Sequence, residues 1–410
     1  MRGSSPEVIV VGGGVVGCSI AYHLTAAGRR VLLLERRGLA SGASGRNGGM
    51  TGAGSSMHAA SAAGRAVYAL TTANLELLRS LPNELGADIE LRLPGTLDVI
   101  TTPEQHAHLS ASVAEQQAAG IEATLLDAPE ARELMPALSP SILGAAYAAG
   151  RGHLWPFALV HAFADAARRH GAEIRVGASA EVERFHRRGD RVTGVVAGGE
   201  MIEADEVVLA TNAYTPALLP DLPAGAIVPA RGQILVTQPL PPILPLPFGT
   251  NFDKEYGRQT PSGQILCGGY RRLDEDEGLG HEEERVSPAV LAGIARCLTD
   301  LFPLLGRGGV NVVRAWAGIM GFTADGLPLI GTMPGTPGLS LAAGFNGGGF
   351  SWAAIIGKVV AAELTGRVHG FDLRPFDPGR FTATGIAWNN PFTAWERSDA
   401  VAEAISVGRT

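Results

Sequence analysis

The chain is poor in cysteine, in charge and in long apolar runs. Three cysteines, Cys18, Cys267 and Cys297, stand far apart among 410 residues. That number and spacing exclude a disulfide framework and any CxxC metal pair, and predict free buried thiols in a reducing compartment. No uninterrupted apolar stretch reaches the roughly 18 residues that a membrane-spanning helix needs. The apolar start follows an acidic residue, Glu7, is broken by glycines and leads to no small-residue cleavage site, so no signal peptide is expected and the location is expected to be cytoplasmic. Charged residues make up only 18% and the net charge is -7, which argues against a nucleic-acid partner. The ten histidines are scattered without ligand spacing, so no metal is expected.

Glycine, by contrast, is abundant: there are 55, and they cluster. In EVIVVGGGVVGCSIAYHLTAAGRRVLLLERR a short β-branched run (7–11) precedes Gly12, Gly14 and Gly17 in a GxGxxG pattern. Helical spacing follows over 15–27, Gly28 is a stop, and a second strand over 30–34 ends at Glu35. The spacing has a chemical reason. Gly12 allows the turn, Gly14 lets backbone approach a pyrophosphate, and Gly17 lets helix pack on strand. Val15 and Val16 open a helix whose N-terminus attracts the anion, and Glu35, followed by Arg36, can accept ribose hydroxyls. The unit predicts dinucleotide binding without separating a nicotinamide from a flavin. A second glycine-rich stretch, SGASGRNGGM (41–50), favours a flavin, because the chain must then pass closely around an extended ligand. Ser41 and Ser44 can donate to phosphate, while Arg46 and Asn47 can face the flavin or the substrate. Gly45, Gly48 and Gly49 are expected beside the cofactor.

Together with five later blocks, these motifs resemble the FAD-dependent amine and amino-acid oxidoreductases of the D-amino-acid oxidase, glycine oxidase and sarcosine oxidase superfamily. The blocks are GHLWPFALVHAFADAARRHGAEI, ASAEVERF, DEVVLATNAYTPALL, VRAWAGIMGFTADGLPLIGTMPG and LAAGFNGGGFSWAAIIGKVVAAELTG. The resemblance implies an α/β fold: a Rossmann-like FAD-binding domain of the glutathione-reductase type, with a second, mostly antiparallel sheet domain over the flavin. The expected division is 1–90, 145–215 and 310–385 for the cofactor domain, 91–144 and 216–309 for the substrate domain, and 386–410 for a tail. It also implies that Val182, Ala210, Thr211, Gly318, Gly344, Asn346, Gly347, Gly348, Gly349 and Phe350 join the cofactor site. A helix beginning near Phe350 would point its N-terminus at the flavin.

The implied chemistry is oxidation of a C–N bond, with hydride transfer to flavin N5, imine hydrolysis, and reoxidation by O2 giving H2O2 or by another acceptor. The partners expected are a small amine or amino acid and an electron acceptor, with the oligomeric state open. A second reading is the flavin-bearing subunit of a hetero-oligomeric amine or opine dehydrogenase, with Trp388 and Trp395 of the tail at an interface. A third is a nucleotide-binding regulatory module with no redox activity.

The sequence departs from the family at the substrate. Met320 stands where an arginine holds the carboxylate in glycine and D-amino-acid oxidases, and Ser351 stands where monomeric sarcosine oxidase has a lysine. Tyr256 matches a substrate-facing tyrosine, and Arg258, two residues on, shares its face on a strand and is a candidate carboxylate anchor, with Arg46 the second. An ungapped match puts Cys267 at the O2-activating lysine. Gly318 replaces the cysteine of covalent attachment, so FAD is expected to be noncovalent. Met50, Met320 and Trp352 would make the pocket more apolar. The segment RRLDEDEGLGHEEERV is expected to be a solvated surface loop.

Overall fold

The computed structural model describes residues 5–52, 61–118, 120–250, 254–381 and 386–393. The opening β-branched run forms the strand β1 (Val8–Val11), buried throughout, followed by helix α1 (Val15–Ala26) and strand β2 (Val31–Glu35). β1 lies between β2 and the strand Glu206–Leu209, parallel to both. The sheet has six strands in the order 329–332, 339–343, 206–209, 8–11, 31–35, 173–176; only the first runs antiparallel to its neighbour. A central parallel strand is covered on both faces, which is why β1 and β2 are continuous apolar runs. Helix α1 and the helices Ala62–Leu85, Pro156–Arg169 and Ala353–Leu364 cover one face. A three-stranded meander, 182–203, covers the other.

A second sheet has eight strands in the order 312–323, 227–239, 264–268, 256–259, 248–249, 96–100, 144–148, 123–127. It is antiparallel except where Phe248–Gly249 runs beside Thr96–Ile100. Period-two alternation divides its residues. Leu97, Val99, Leu235, Ile265 and Cys267 pack under the helices Ala128–Leu134, Pro288–Leu301 and Pro303–Gly308. Thr96, Asp98, Ile234, Tyr256, Gly318, Met320 and Phe322 face a cavity shared with the parallel sheet.

Two expected segment boundaries need correction. Gly144–Ala148 pairs with Thr96–Ile100 and Ala123–Asp127, and Val312–Thr323 pairs along Ile227–Pro239, so both strands belong to the antiparallel sheet. Alternation marks a strand but not the sheet it joins. The charged segment 271–286 is mostly exposed but is anchored to the sheet at Asp274. Arg231, 1% exposed, makes a bidentate pair with Asp274 at 2.8 and 2.9 Å, and Gln233 Nε2 donates to the same carboxylate at 2.8 Å. The tail folds back: Asn390 Nδ2 donates to Asn346 Oδ1 at 2.8 Å, and Trp388 packs beside Phe322. Trp395 lies outside the described residues. Among those residues no helix is long and apolar enough to cross a membrane.

Candidate active site

The cavity measures about 760 Å³ and runs from the β1–α1 turn to the open face of the eight-stranded sheet. At the first end Gly12 has φ +112°, and a Cβ there would lie 2.6 Å from the Ala210 carbonyl oxygen. A Cβ on Gly14 would lie 3.0 Å from Ser44 Oγ, so the turn and the second glycine loop are in contact. Ser44 Oγ accepts from the Val15 amide at 2.9 Å, which leaves its own hydrogen free to donate to an anion. Glu35 accepts from the Gly13 and Arg37 amides, both at 2.8 Å, and each oxygen retains a lone pair for a ribose hydroxyl. Arg36 stacks over Tyr214 at 4.5 Å and pairs with Glu181 at 3.6 Å; all three line the cavity beside Val182.

Val16, Ser41, Asn47, Gly48, Thr211, Asn346, Gly347, Gly348, Gly349 and Phe350 also line it. Gly17, Gly45, Gly49 and Gly344 do not, and their glycines have another cause. A side chain on Gly17 would strike the Gly12 carbonyl, on Gly45 the Ala40 carbonyl and Phe157 ring, on Gly49 the Leu154 carbonyl, and on Gly344 Thr323. Much of the glycine requirement therefore comes from protein packed behind the loops. In the second loop Gly42 and Gly48 do line the cavity, and a Cβ on Gly48 would lie 2.7 Å from the Tyr256 ring. The late helix also differs from expectation. It begins at Ala353 after a 3-10 turn over Gly349–Ser351. The amides of Ala354 and Ile355 donate to the buried Asn74 side chain at 2.9 and 3.2 Å, so this helix end is already capped and the turn, not the helix, faces the cavity.

An FAD fits these residues. The Ser41 hydroxyl is buried at the cavity wall without a hydrogen-bond partner, the α1 N-terminus carries no side-chain cap from its own N-cap residue, and a Cβ on Gly349 would meet nothing within 4 Å.

The substrate-side residues fare differently. Tyr256 lines the cavity, and burial holds its phenol well above the usual range and therefore protonated. Met50, Met320 and Trp352 line it too. Arg258 does not. Its strand face is the expected one, but the second glycine loop covers it: Nε donates to the Gly48 carbonyl at 2.6 Å and Nη2 to that of Leu154 at 3.4 Å. It braces the loop from behind, with its guanidinium turned to these carbonyls and not to the cavity. Arg46 is committed as well, donating to the carbonyls of Ser41 at 2.9 Å and Ala317 at 3.0 Å and pairing with Glu284 at 2.7 Å. Cys267 pairs in register with Gly257 and so faces the opposite side from Tyr256. There a hydrogen bond with Cys297, and burial, hold its thiol protonated and away from the cavity. Sequence reasoning missed Asp98, Arg151, Lys254, Glu255 and Arg271, all of which line the cavity. A signal existed: pairing YGRQ with QILCG across TPSG sets Lys254 beside Tyr270 at the open end of the hairpin.

The chain is 30% identical over 393 residues to 4-methylaminobutanoate oxidase (formaldehyde-forming) of Paenarthrobacter nicotinovorans, a match covering 92% of this chain and 46% of that protein. The chain thus spans about half the length of the first curated relatives it matches. It is 28% identical to an opine oxidase subunit of Rhizobium meliloti, covering 92% and 98% of the two chains. The glycine oxidase structure from Geobacillus kaustophilus superposes with a TM-score of 0.82 at 26% identity, covering 92% of this chain and all of that one. The family model "DAO: FAD dependent oxidoreductase" matches residues 7–363, the span that holds both the glycine cradle and the sheet wall opposite it, and the chain belongs to that family of FAD-dependent oxidoreductases.

Proposed function

We propose that this protein oxidises the C–N bond of an amino acid or a secondary amine, such as an N-substituted amino acid. The observation that carries this reading is one continuous cavity, with a dinucleotide cradle at one end and Tyr256, Met320 and Met50 on the wall at the other. When bound, FAD supplies a hydride acceptor for the carbon beside the nitrogen, and O2 or another acceptor takes the electrons onward. The protein's own part is to bind, orient and exclude water. Glu35, Ser41 and Ser44 hold the nucleotide, and Arg258 fixes the second loop against the wall. Tyr256, protonated, presents a hydroxyl donor to the substrate, and the methionines and Trp352 keep the site dry. Protein loaded with FAD should lose its visible flavin absorption when a substrate amine is added without oxygen. A panel of primary and N-alkyl amino acids that all leave the band unchanged would remove this reading. Similarity to a protein named as a subunit supports a second reading, in which electrons leave through a partner chain. Reduced protein that air reoxidises within one turnover argues for the oxidase; slow reoxidation argues for the partner.

A further inference from the structure

With Arg46 and Arg258 both committed to backbone carbonyls, two cations of the cavity wall have no carboxylate within ion-pair distance among the described residues. Lys254 and Arg271 stand at the open end of the hairpin formed by Tyr256–Gln259 and Gln264–Gly268. Tyr256 pairs with Gly268, so continuing the register two residues sets Lys254 opposite Tyr270, next to Arg271. Both backbones are held in the left-handed region there, φ 54° at Lys254 and at Tyr270, which costs about 1 kcal/mol or more at a residue with a Cβ. Lys254 and Arg271 both line the cavity.

Neither cation has a carboxylate within ion-pair distance among the described residues. Arg271 stacks over Phe322 at 4.7 Å and gives one Nη2 hydrogen bond to the Phe392 carbonyl at 2.5 Å. Its Nη1 is buried without any partner. The nearby acids are turned elsewhere. Asp98 approaches Arg151 at 3.9 Å, and Glu255 accepts from the Thr250 hydroxyl while its second oxygen is buried and unpartnered. Burial pushes both carboxyls up, and burial and the charge of Arg271 push the Lys254 ammonium down. Asp98 and Glu255 act on Lys254, and Glu277 on Arg271, only from beyond ion-pair distance, and a guanidinium beside an ammonium in a desolvated wall suits a carboxylate held directly between them.

We propose that Lys254 and Arg271 form the carboxylate subsite of this pocket, and that the substrate is an amine bearing an ionised carboxylate. The assignment rests on the amine-oxidising reading above and supplies the anchor that Met320 and Ser351 do not. Both residues act on specificity: they hold one end of the substrate while its nitrogen-bearing carbon is presented elsewhere.

The test uses FAD-loaded protein and N-methylamino acids with one, two or three methylenes between nitrogen and carboxylate, each with its methyl ester. Anaerobic stopped-flow reduction gives a Kd and a limiting rate for each. At least one acid should bind about 10- to 100-fold more tightly than its ester. Arg271→Gln and, separately, Lys254→Met should each weaken binding of the acid about 10-fold or more and so remove most of its preference over the ester. Lys254→Met keeps the proposal testable should Arg271→Gln lose its FAD, and Arg271→Lys should partly restore the preference. Reduction by amines with no acid exceeding its ester overturns the subsite alone, and so does a preference that survives both variants. No reduction by any amine overturns the oxidation reading itself.

Discussion

The two ends of the cavity are built in opposite ways. The cradle around β1, α1 and the second glycine loop works through backbone. Its ligand groups are amides, a serine pair and one carboxylate, and its precision comes from side chains that are absent. The wall of the eight-stranded sheet works through side chains that meet only because strands from 96–100, 227–239, 256–268 and 312–323 lie in register. A backbone site can be written into one short stretch of consecutive residues. A side-chain wall is assembled across much of the chain, and its chemistry can change without changing the fold.

Breaking the wall's supporting pair should have the largest effect. Asp274→Ala leaves the buried Arg231 guanidinium only the exposed Glu283 at 3.6 Å, and should cost about 3–5 kcal/mol in urea unfolding. An effect below about 1 kcal/mol would show that the segment 271–286 does not clamp the wall.

The seam between the two ends carries a pH dependence. His153, 9% exposed, lies behind the second loop, paired with Met50, and burial and then the charges of Arg258 and Arg92 hold its pKa at about 4. His23, packed under the cradle, is held at about 4 by burial and Lys358. An unfolded histidine binds a proton near pH 6.5, so the unfolded state takes up protons first as pH falls. Stability should be level with respect to these groups above pH 6.5 and fall from there towards pH 4, by up to about 3 kcal/mol for His153. His153→Gln should flatten the slope in this window in thermal melts, and an unchanged slope would contradict the assignment.

In the cradle, Gly17→Ala forces a methyl onto the Gly12 carbonyl and should cost about 1–3 kcal/mol together with most FAD affinity. Full FAD content in that variant would show that helix and strand can separate without harm. The smallest effect belongs to the strap between the two regions. Glu284 joins Arg37 at 2.9 Å and Arg46 at 2.7 Å, and lies in the segment that also carries Asp274. These groups are partly exposed, so Glu284→Gln should weaken FAD binding only about two- to tenfold, with the difference shrinking at high salt. A salt-independent loss would point to packing.

The cradle is legible in the sequence because its logic is local. Gly12, Gly14, Glu35 and Ser44 lie within one short span of sequence and meet at one end of the cavity. The errors lie where distant chain intervenes. The strand period places Arg258 on the correct face, but nothing in its neighbourhood tells that residues 48 and 154 lie over it. An ungapped match to the family places Cys267 at the O2-activating lysine, although register with Gly257 turns it to the other face. The late helix reads as open at its N-terminus because Asn74, some 280 positions earlier, gives no sign of capping it. Lys254 and Arg271 are legible in principle from the hairpin they flank, and escape notice because each reads singly as a surface charge.

The central claim is that cradle and wall enclose one ligand space. It is tested most directly by the absorption difference spectrum of FAD-loaded protein on adding methoxyacetate, the ether analogue of N-methylglycine, which cannot be oxidised at a C–N bond. The account predicts a saturable shift of the visible flavin band that disappears in Lys254→Met. A flavin band unmoved at concentrations where the same carboxylate demonstrably binds the protein would place the two ends in separate sites and contradict it.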